Sequence, residues 1–213
     1  MQVRQRARSE MAKAEREDNI LTAAELLLRQ SGYDAMTMQA VATATGLAKG
    51  TLYLYFTSRE TLVLAVYGRL FDHWIERFFV YHSELSGFDG FCQDFARHYA
   101  DDPLFLHLTG FATGLLEPQL DHAAYIAVKR GMMRRVKRLA GCVCQQFNVA
   151  PGSAQKLTWG LLTIAAGAAQ LTVQSPFAKP DLPDDVLAFA DLAHFETVFL
   201  NAALPFGNNI IAS

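Results

Sequence analysis

The sequence predicts an all-α protein: a three-helix head at the N-terminus, a long fourth helix and a larger helical body, about nine helices in all. Apolar residues recur at intervals of three and four along most of the chain, whereas alternation with a period of two is almost absent. Glycine and proline stand between these periodic segments, where they end helices. Because 51% of the 213 residues are hydrophobic and 19% are charged, the chain can bury a substantial core.

The N-terminal segment, residues 1–15, is predicted to be a flexible basic arm. Five basic and two acidic side chains lie within the first sixteen residues. Such a segment is either a solvated tail or an arm that seeks phosphate groups. A first helix is expected from about residue 12 to Ser31, with Gly32 ending it.

Two shorter helices complete the predicted head, which spans residues 16–62. Thr37 is expected to cap the second helix, and Gly46 is expected to end it. The third helix is expected over Leu47–Phe56, anchored by Leu52 and Phe56, which lie one turn apart. Two short helices joined by a tight turn after a longer supporting helix predict a helix-turn-helix.

The fourth helix is expected to begin after a Ser58 cap and to run to about Glu84. From residue 63 onward this helix belongs to the predicted body, residues 63–213. Each further helix is bounded by an aspartate, a glycine or a proline. The predicted helices of the body are 89–100, 102 to just before Pro118, 121–147, 153–173 and 184–204.

The free faces of the third helix have the chemistry of a DNA-reading helix. Lys49 stands at its positive N-terminus, and Gly50 allows the backbone to approach another surface closely. Thr51 can reach a base edge, and tyrosine hydroxyls suit phosphate oxygens. Each such side chain taken alone is more often structural, but the combined spacing favours double-stranded DNA. The predicted contacts are Thr37, Ala48, Lys49, Gly50, Thr51, Tyr53, Leu54, Tyr55 and Arg59.

The segment from Ile20 to about Tyr67 resembles the DNA-binding head of TetR-family transcriptional regulators. This resemblance implies an all-helical homodimer, most often a bacterial repressor, in which a small-molecule effector alters the affinity for DNA. A two-fold dimer fits a palindromic operator. The matching positions are Ala23–Ala24, Leu27, Gly32–Tyr33, Thr37–Met38, Val41–Ala42, Gly46, Gly50–Tyr53, Phe56 and Ser58–Leu62.

Four positions depart from the family pattern. Ala48 stands where a serine is common, so the hydroxyl that could cap the third helix is missing. Leu54 and Tyr55 occupy places often held by tyrosine and histidine, and Arg59 replaces a frequent lysine. These changes leave the DNA-binding role in place but make the operator sequence unpredictable.

The body is expected to hold an apolar pocket with isolated polar groups, as a small-molecule site requires. An ordinary core uses the same residue types, and this alternative stays open. The candidate pocket residues are Phe95, His107, Phe111, Thr113 and Trp159. On the predicted helix 121–147, Arg130, Arg134 and Arg138 form a stripe. This stripe is either a solvated face or a contact for an acidic ligand or partner.

The last two predicted helices, 153–173 and 184–204, look too apolar for the surface of a monomer. Small residues within them allow helices to approach closely, so a four-helix dimer interface is expected. The candidate interface residues are Leu161, Ile164, Ala168, Leu192, Phe195 and Phe199.

Several other functions are disfavoured. The polar N-terminus does not resemble a secretory signal, and three cysteines suit the reducing cytoplasm. Cys142 and Cys144 lie about 200° apart on one helix, so neither a metal site nor another cofactor is expected. The uncharged stretch Leu157–Ala178 is expected to be a buried helix rather than a membrane span.

The sequence contains no motif that pairs a nucleophile with a base, so an enzyme is not expected. Two rival classes remain as alternatives. One is a helical small-molecule enzyme with a helix-turn-helix-like head; the other is an interaction protein that binds peptides or membranes through its apolar helices.

Overall fold

A computed structural model describes residues 2–81, 87–172, 183 and 194–211, but not the side chains of residues 2–9 and of Thr113. Within these ranges the chain is helical and contains no strand, which confirms the predicted fold class. A π-helical turn, Ala112–Leu116, and a 3-10 turn, Glu117–Gln119, also occur. The α-helices are α1 Gln2–Ala35, α2 Met38–Thr45, α3 Lys49–Tyr53, α4 Arg59–Tyr81, α5 Gly87–Ala100, α6 Pro103–Phe111, α7 His122–Phe147, α8 Pro151–Leu171 and α9 Phe195–Ile211.

Helix α1 begins at Gln2, well before its predicted start, so the segment predicted to be a flexible arm is helical here. The arm is rich in alanine, arginine, glutamate and lysine, which all favour helix, and no proline or glycine interrupts it. The break at Gly32 occurs as predicted. Its φ of 75° and ψ of −179° lie outside the helical region, and one further turn follows to Ala35.

The caps of the head agree with the prediction. Thr37 Oγ1 accepts a hydrogen bond from the Ala40 N–H at 3.1 Å, and Gly46 ends α2 with a φ of 67°. Helix α3 is shorter than predicted, because Ala48 offers it no side-chain cap and the chain turns after Tyr53. Leu52 is nevertheless fully buried beneath it, as expected of an anchor.

Helix α4 belongs to both the head and the body. Ser58 and Thr61 cap its start reciprocally: each hydroxyl accepts the other residue's backbone N–H, at 3.1 and 3.0 Å. Further along, Trp74 stacks on Phe78 and meets the ring of Phe95 edge-on at 4.7 Å. One continuous apolar core therefore extends from α1 and α2 along α4 to the aromatic side chains of the body.

Helix α6 packs unusually close to α8. A Cβ added at Gly110 would lie 3.2 Å from the backbone of Ala169, a tight contact, so this crossing favours a glycine. The single helix predicted from residue 102 to just before Pro118 is instead α6 followed by the π-helical and 3-10 turns. Asp102 caps α6 by accepting from the N–H groups of Leu104 and Phe105.

Helix α9 does not end at Leu204 as predicted, but continues past Pro205 to Ile211. Packing explains why it persists, although a proline removes one helical hydrogen bond. The ring of Phe206 lies directly on Gly160, and Gly207 lies directly against Phe88. The predicted start of this helix at residue 184 lies outside the described residues. No helix in the described ranges has both the length and the apolarity needed to cross a bilayer.

Candidate nucleic-acid interface and ligand cleft

The surface around α3 is open, as a reading helix requires. Ala48, Lys49 and Gly50 are exposed, and a Cβ added at Gly50 would meet no atom within 4 Å. Tyr53 is 43% exposed and Leu54 is 82% exposed. An exposed leucine, a bare glycine backbone and a lysine therefore lie side by side on this surface. Thr51 and Tyr55 are half-buried at its border.

Thr37 lies at the exposed N-terminus of α2. Its hydroxyl oxygen accepts the capping hydrogen bond, so its hydroxyl hydrogen stays available to a phosphate oxygen. The remaining N–H groups of this first turn favour an anion at the same place.

Arg59, at the start of α4, is held in place by a residue that sequence reasoning missed. Its guanidinium carbon lies 4.0 Å from the ring centroid of Tyr33, which is a cation–π geometry. The Tyr33 hydroxyl donates to Glu60 at 3.3 Å, and burial raises the pKa of this tyrosine. Tyr33 directly follows the break of α1 at Gly32. In the sequence, this glycine–tyrosine pair is the pattern that could have pointed to Tyr33.

The same tyrosine contacts the body. Its ring meets Phe111 edge-on, with the centroids 5.7 Å apart, and Phe111 in turn contacts His107 at 4.7 Å. Phe111 was predicted to line a pocket, but the structure places it at the end of α6, against Tyr33 of the head. Tyr33 and Phe111 thus link the predicted phosphate contact, Arg59, to the body.

A second connection between head and body is ionic. Arg29 of α1 makes two 2.8 Å hydrogen bonds to the carboxylate of Asp102, which also caps α6. Burial alone would raise the pKa of Asp102, but Arg29 and the N–H groups of α6 hold it below its ordinary value. Glu25 joins Arg29 to Arg69 of α4, at 2.9 and 2.6 Å.

A cleft of about 710 Å³ opens between α1, α4, α7 and the turn after α3. Its walls are mainly apolar, with several charged side chains among them. From the head it takes Leu21, Tyr55 and Thr57; from α4, Leu64, Phe71 and Asp72; and from α7, Val128, Met132, Arg134 and Arg135.

The predicted pocket residues do not come together at this cleft. Phe95 is fully buried among aromatic rings, His107 is exposed, and Trp159 is 41% exposed on α8. Phe111 lies at the contact with Tyr33, and the side chain of Thr113 lies outside the described part. None of the four described side chains lines the cleft, because they lie on α5, α6 and α8, whereas the walls come mainly from α1, α4 and α7.

Most of the predicted dimer residues are buried inside a single chain. Leu161, Ala168, Phe195 and Phe199 are at most 2% exposed, and Phe199 stacks on Phe95 with centroids 5.0 Å apart. These residues join α8 and α9 to the body, so they are not available on its surface. Ile164 is half-buried, and Leu192 lies outside the described residues.

The outward faces of α8 and α9 are formed by other residues, mostly small or uncharged. The accessible positions on these faces include Trp159, Thr163, Gly167, Ala202 and Phe206.

Among the described residues, no group of three His, Cys, Asp or Glu side chains is placed to hold a metal ion. The three cysteines are free, and the Cys144 thiol donates to the Val149 carbonyl at 3.1 Å.

Two family models match this chain. The model described as "Bacterial regulatory proteins, tetR family" matches residues 20–66. The model described as "Tetracyclin repressor-like, C-terminal domain" matches residues 69–190, which is more than half of the chain.

Curated relatives match mainly the N-terminal region. The chain is 41% identical over 61 residues to the HTH-type transcriptional repressor KstR of Mycolicibacterium smegmatis, covering 29% of this chain and 30% of that one. It is 30% identical over 120 residues to the HTH-type transcriptional regulator AlkX of Mycobacterium tuberculosis, covering 53% of this chain and 54% of that one. The chain therefore spans between about a third and a half of the length of these relatives.

Solved structures share the fold along nearly the whole chain. A transcriptional regulator from Rhodococcus sp. Rha1 matches with a TM-score of 0.57 and 13% identity, covering 89% of this chain and 96% of that one. A TetR-family transcriptional regulator from Streptomyces coelicolor matches with a TM-score of 0.53 and 20% identity, covering 87% and 98%. Head and body together therefore have the architecture of these regulators.

Proposed function

Because this chain belongs to the tetR family of bacterial regulatory proteins, we propose that it is a sequence-specific DNA-binding transcriptional regulator. The observation that carries the proposal is the exposed face of α3, where Lys49, Gly50, Tyr53 and Leu54 are accessible above the buried anchor Leu52. The names of the KstR relatives support repression as its action. Such a regulator acts in the bacterial cytoplasm and needs no enzymatic activity.

In this proposal α3 enters the major groove. Lys49 and Thr51 contact base edges, and Gly50 brings the helix backbone close to the floor of the groove. Tyr53 and Tyr55 contact backbone phosphates on one side of the groove. Thr37 and Arg59 contact other phosphates around the groove. Leu54 supplies an apolar surface that suits a thymine methyl group.

The regulator is proposed to bind a palindromic operator as a homodimer. A two-fold axis presents two copies of α3 to half-sites one helical turn apart, about 34–36 Å, or a multiple of that distance. The outward faces of α8 and α9 are the proposed interface, because their accessible residues include Trp159 and Phe206 next to small residues such as Gly167 and Ala202.

A small-molecule effector is proposed to control DNA affinity through α4. The N-terminal turn of this helix holds Arg59, while its later turns are buried in the body. A ligand that prefers one arrangement of the body tilts α4 and changes the separation of the two reading helices. Couplings of this kind are typically about 1–3 kcal/mol, or roughly 5–150-fold in affinity.

The test is selection of genomic DNA fragments by the purified protein at fixed salt, followed by affinity measurements on the recovered sequence. We expect a palindromic site whose affinity falls steeply with salt. The double variant Lys49→Ala/Tyr53→Phe should keep its fold and oligomeric state but lose affinity and part of the salt dependence. Wild-type affinity and salt slope in that variant would contradict the proposal.

A further inference from the structure

We propose that the cleft between α1, α4 and α7 binds an amphipathic anion, which thereby touches the DNA-binding head directly. This inference rests on the proposed function, since it names the effector class and the effector site of that regulator. The cleft volume of about 710 Å³ lies within the range of about 300–1,000 Å³ that is usual for small-molecule sites.

The apolar part of the ligand has its contacts along two helices. Leu64 and Phe71 of α4, Val128 and Met132 of α7, and Leu21 of α1 all line the cleft. Such walls bind a hydrocarbon or aromatic body through buried area rather than through hydrogen bonds. Specificity must then come from the charged groups at the border.

Arg135 is the group best placed to receive an anion. Its guanidinium lies against two glycines: a Cβ at Gly68 would be 2.9 Å from Nη2, and one at Gly131 would be 3.1 Å from Nη1. In the described part of the chain Asp72 is its only hydrogen-bond partner, bound through Nη2. A guanidinium has five N–H donors, so Arg135 can keep Asp72 and still bind a second anion.

The other charged side chains that line the cleft are mostly engaged: Arg69, for example, is bound to Glu25 at 2.6 Å. Arg134 is exposed and makes no ion pair among the described residues. Glu117 is bound by Lys129 at 2.6 Å, and Asp121 caps α7 through the Ala124 N–H. Glu17, on the α1 wall, is the remaining acid. Two arginines with unused donors therefore stand beside carboxylates that are largely engaged.

The position of the cleft gives the ligand a direct effect on DNA binding. Tyr55 and Thr57, from the turn that follows α3, line the same cleft as Arg135 of α7. A ligand bound there bridges the head and the body, so its affinity depends on how the head is oriented. Because Tyr55 is also a proposed phosphate contact, we expect ligand binding to lower the affinity for DNA.

The experiment uses two fluorescent probes of nearly the same shape. 8-Anilinonaphthalene-1-sulfonate carries a sulfonate, whereas its parent N-phenyl-1-naphthylamine is uncharged. For the wild-type protein we expect one site per chain and an affinity for the sulfonate at least about tenfold higher, as a charge-assisted hydrogen bond provides. The sulfonate should also weaken operator binding in a fluorescence-anisotropy assay.

Three variants locate the site. Arg135→Met should remove the preference for the sulfonate but leave binding of the neutral probe, whereas the matched control Arg138→Met, outside the cleft on the same helix, should change neither. Ala127→Trp should obstruct the cleft and weaken both probes. Circular dichroism establishes that each variant is folded, and Ala127→Trp tests the location independently of Arg135.

Equal affinity for the two probes, a preference that survives Arg135→Met, or unchanged binding to Ala127→Trp would each overturn this inference. Failure of the wild-type protein to bind any operator, with the probe preferences intact, would instead remove the proposed function and leave the anion site standing.

Discussion

The guanidinium of Arg59 rests on the face of Tyr33, 4.0 Å from the ring centroid, where α4 leaves the DNA-binding head. This contact fixes a flexible side chain at the start of α4, near the α3 surface that is proposed to contact DNA. Since Tyr33 also touches Phe111 of α6, the orientation of a proposed phosphate contact depends on how the body is packed.

The first prediction tests this aromatic support. Tyr33→Leu should lower operator affinity about 2–5-fold, because a cation–π contact of this type contributes about 0.5–1 kcal/mol. Tyr33→Phe should retain most of the affinity, since the ring remains and only the bond to Glu60 is lost. In the Tyr33→Leu background Arg59→Ala should cost less than in the wild-type protein. Additive losses, measured by anisotropy, would show that the two residues act independently.

The second prediction concerns Gly50. Gly50→Ala should raise the free energy of unfolding by about 0.5 kcal/mol, because an exposed helical glycine with open space around it gains from a methyl group. The same methyl group should weaken the free energy of DNA binding by about 1–3 kcal/mol, the usual cost of overpacking a close contact, since it stands where the helix is proposed to approach the groove.

The matched control is Gly141→Ala on α7, where a Cβ also meets nothing within 4 Å. In urea titrations the Gly141→Ala variant should show a similar increase in the free energy of unfolding. Its DNA affinity should not change. If both alanines leave DNA binding intact, α3 does not approach DNA at Gly50.

The third prediction follows from the Arg29–Asp102 ion pair. Asp102→Asn should lower the free energy of unfolding by about 1 kcal/mol at pH 7, a modest value because the pair is partly exposed. The control is Asp101→Asn, which should cost less, because this exposed neighbouring carboxylate has only longer contacts, 3.4 Å to Arg77 and 3.5 Å to His98, among the described residues.

The pH dependence has a defined sign. The pKa of Asp102 lies below its ordinary value of 3.8 in the folded protein, so folding favours the ionised form. The contribution is therefore present above about pH 4 and lost as the pH falls through the lower folded value. Urea titrations should show the difference between wild type and Asp102→Asn shrinking over that acidic range. A difference that stays constant there would exclude the ion pair as its source.

The fourth prediction tests the dimer. Trp159→Glu should shift the protein toward monomer at micromolar concentration, because it buries a charge in the proposed α8–α9 interface. Val80→Glu introduces the same charge at another exposed apolar position, on α4, and should leave the oligomeric state unchanged. Light scattering after size exclusion separates the results. Equal behaviour of the two variants would place the interface elsewhere.

The sequence was sufficient to predict the features that depend on local chemistry. The Thr37 cap, the glycine turn at Gly46 and the anchor Leu52 each follow from a few neighbouring residues, and the structure contains all three. Helix ends decided by distant packing were harder. Pro205 indicated an end for α9, but the helix continues to Ile211. The contacts of Phe206 with Gly160 and of Gly207 with Phe88 hold this last part of the helix against the body.

The remaining differences have a common physical cause. Periodicity shows which face of a helix is apolar, but not whether the same chain or a partner covers it, so Leu161 and Phe199 were assigned to an interface although they are buried in the body. The cleft was missed because Leu21, Tyr55 and Arg135 approach only after α1, α4 and α7 have packed. In retrospect Gly68 and Gly131 were the available signal, since both make room for Arg135.

The uninterrupted core along α4 bears on how such regulators can be re-engineered. We expect that residues 16–62 cannot be exchanged as an independent unit, because Leu62, Val66 and Leu70 belong to the same buried cluster as Ile20 and Phe105. A chimaera that joins this head to a foreign sensor must also supply counterparts for Asp102 and Phe111, and should otherwise melt in two calorimetric transitions instead of one.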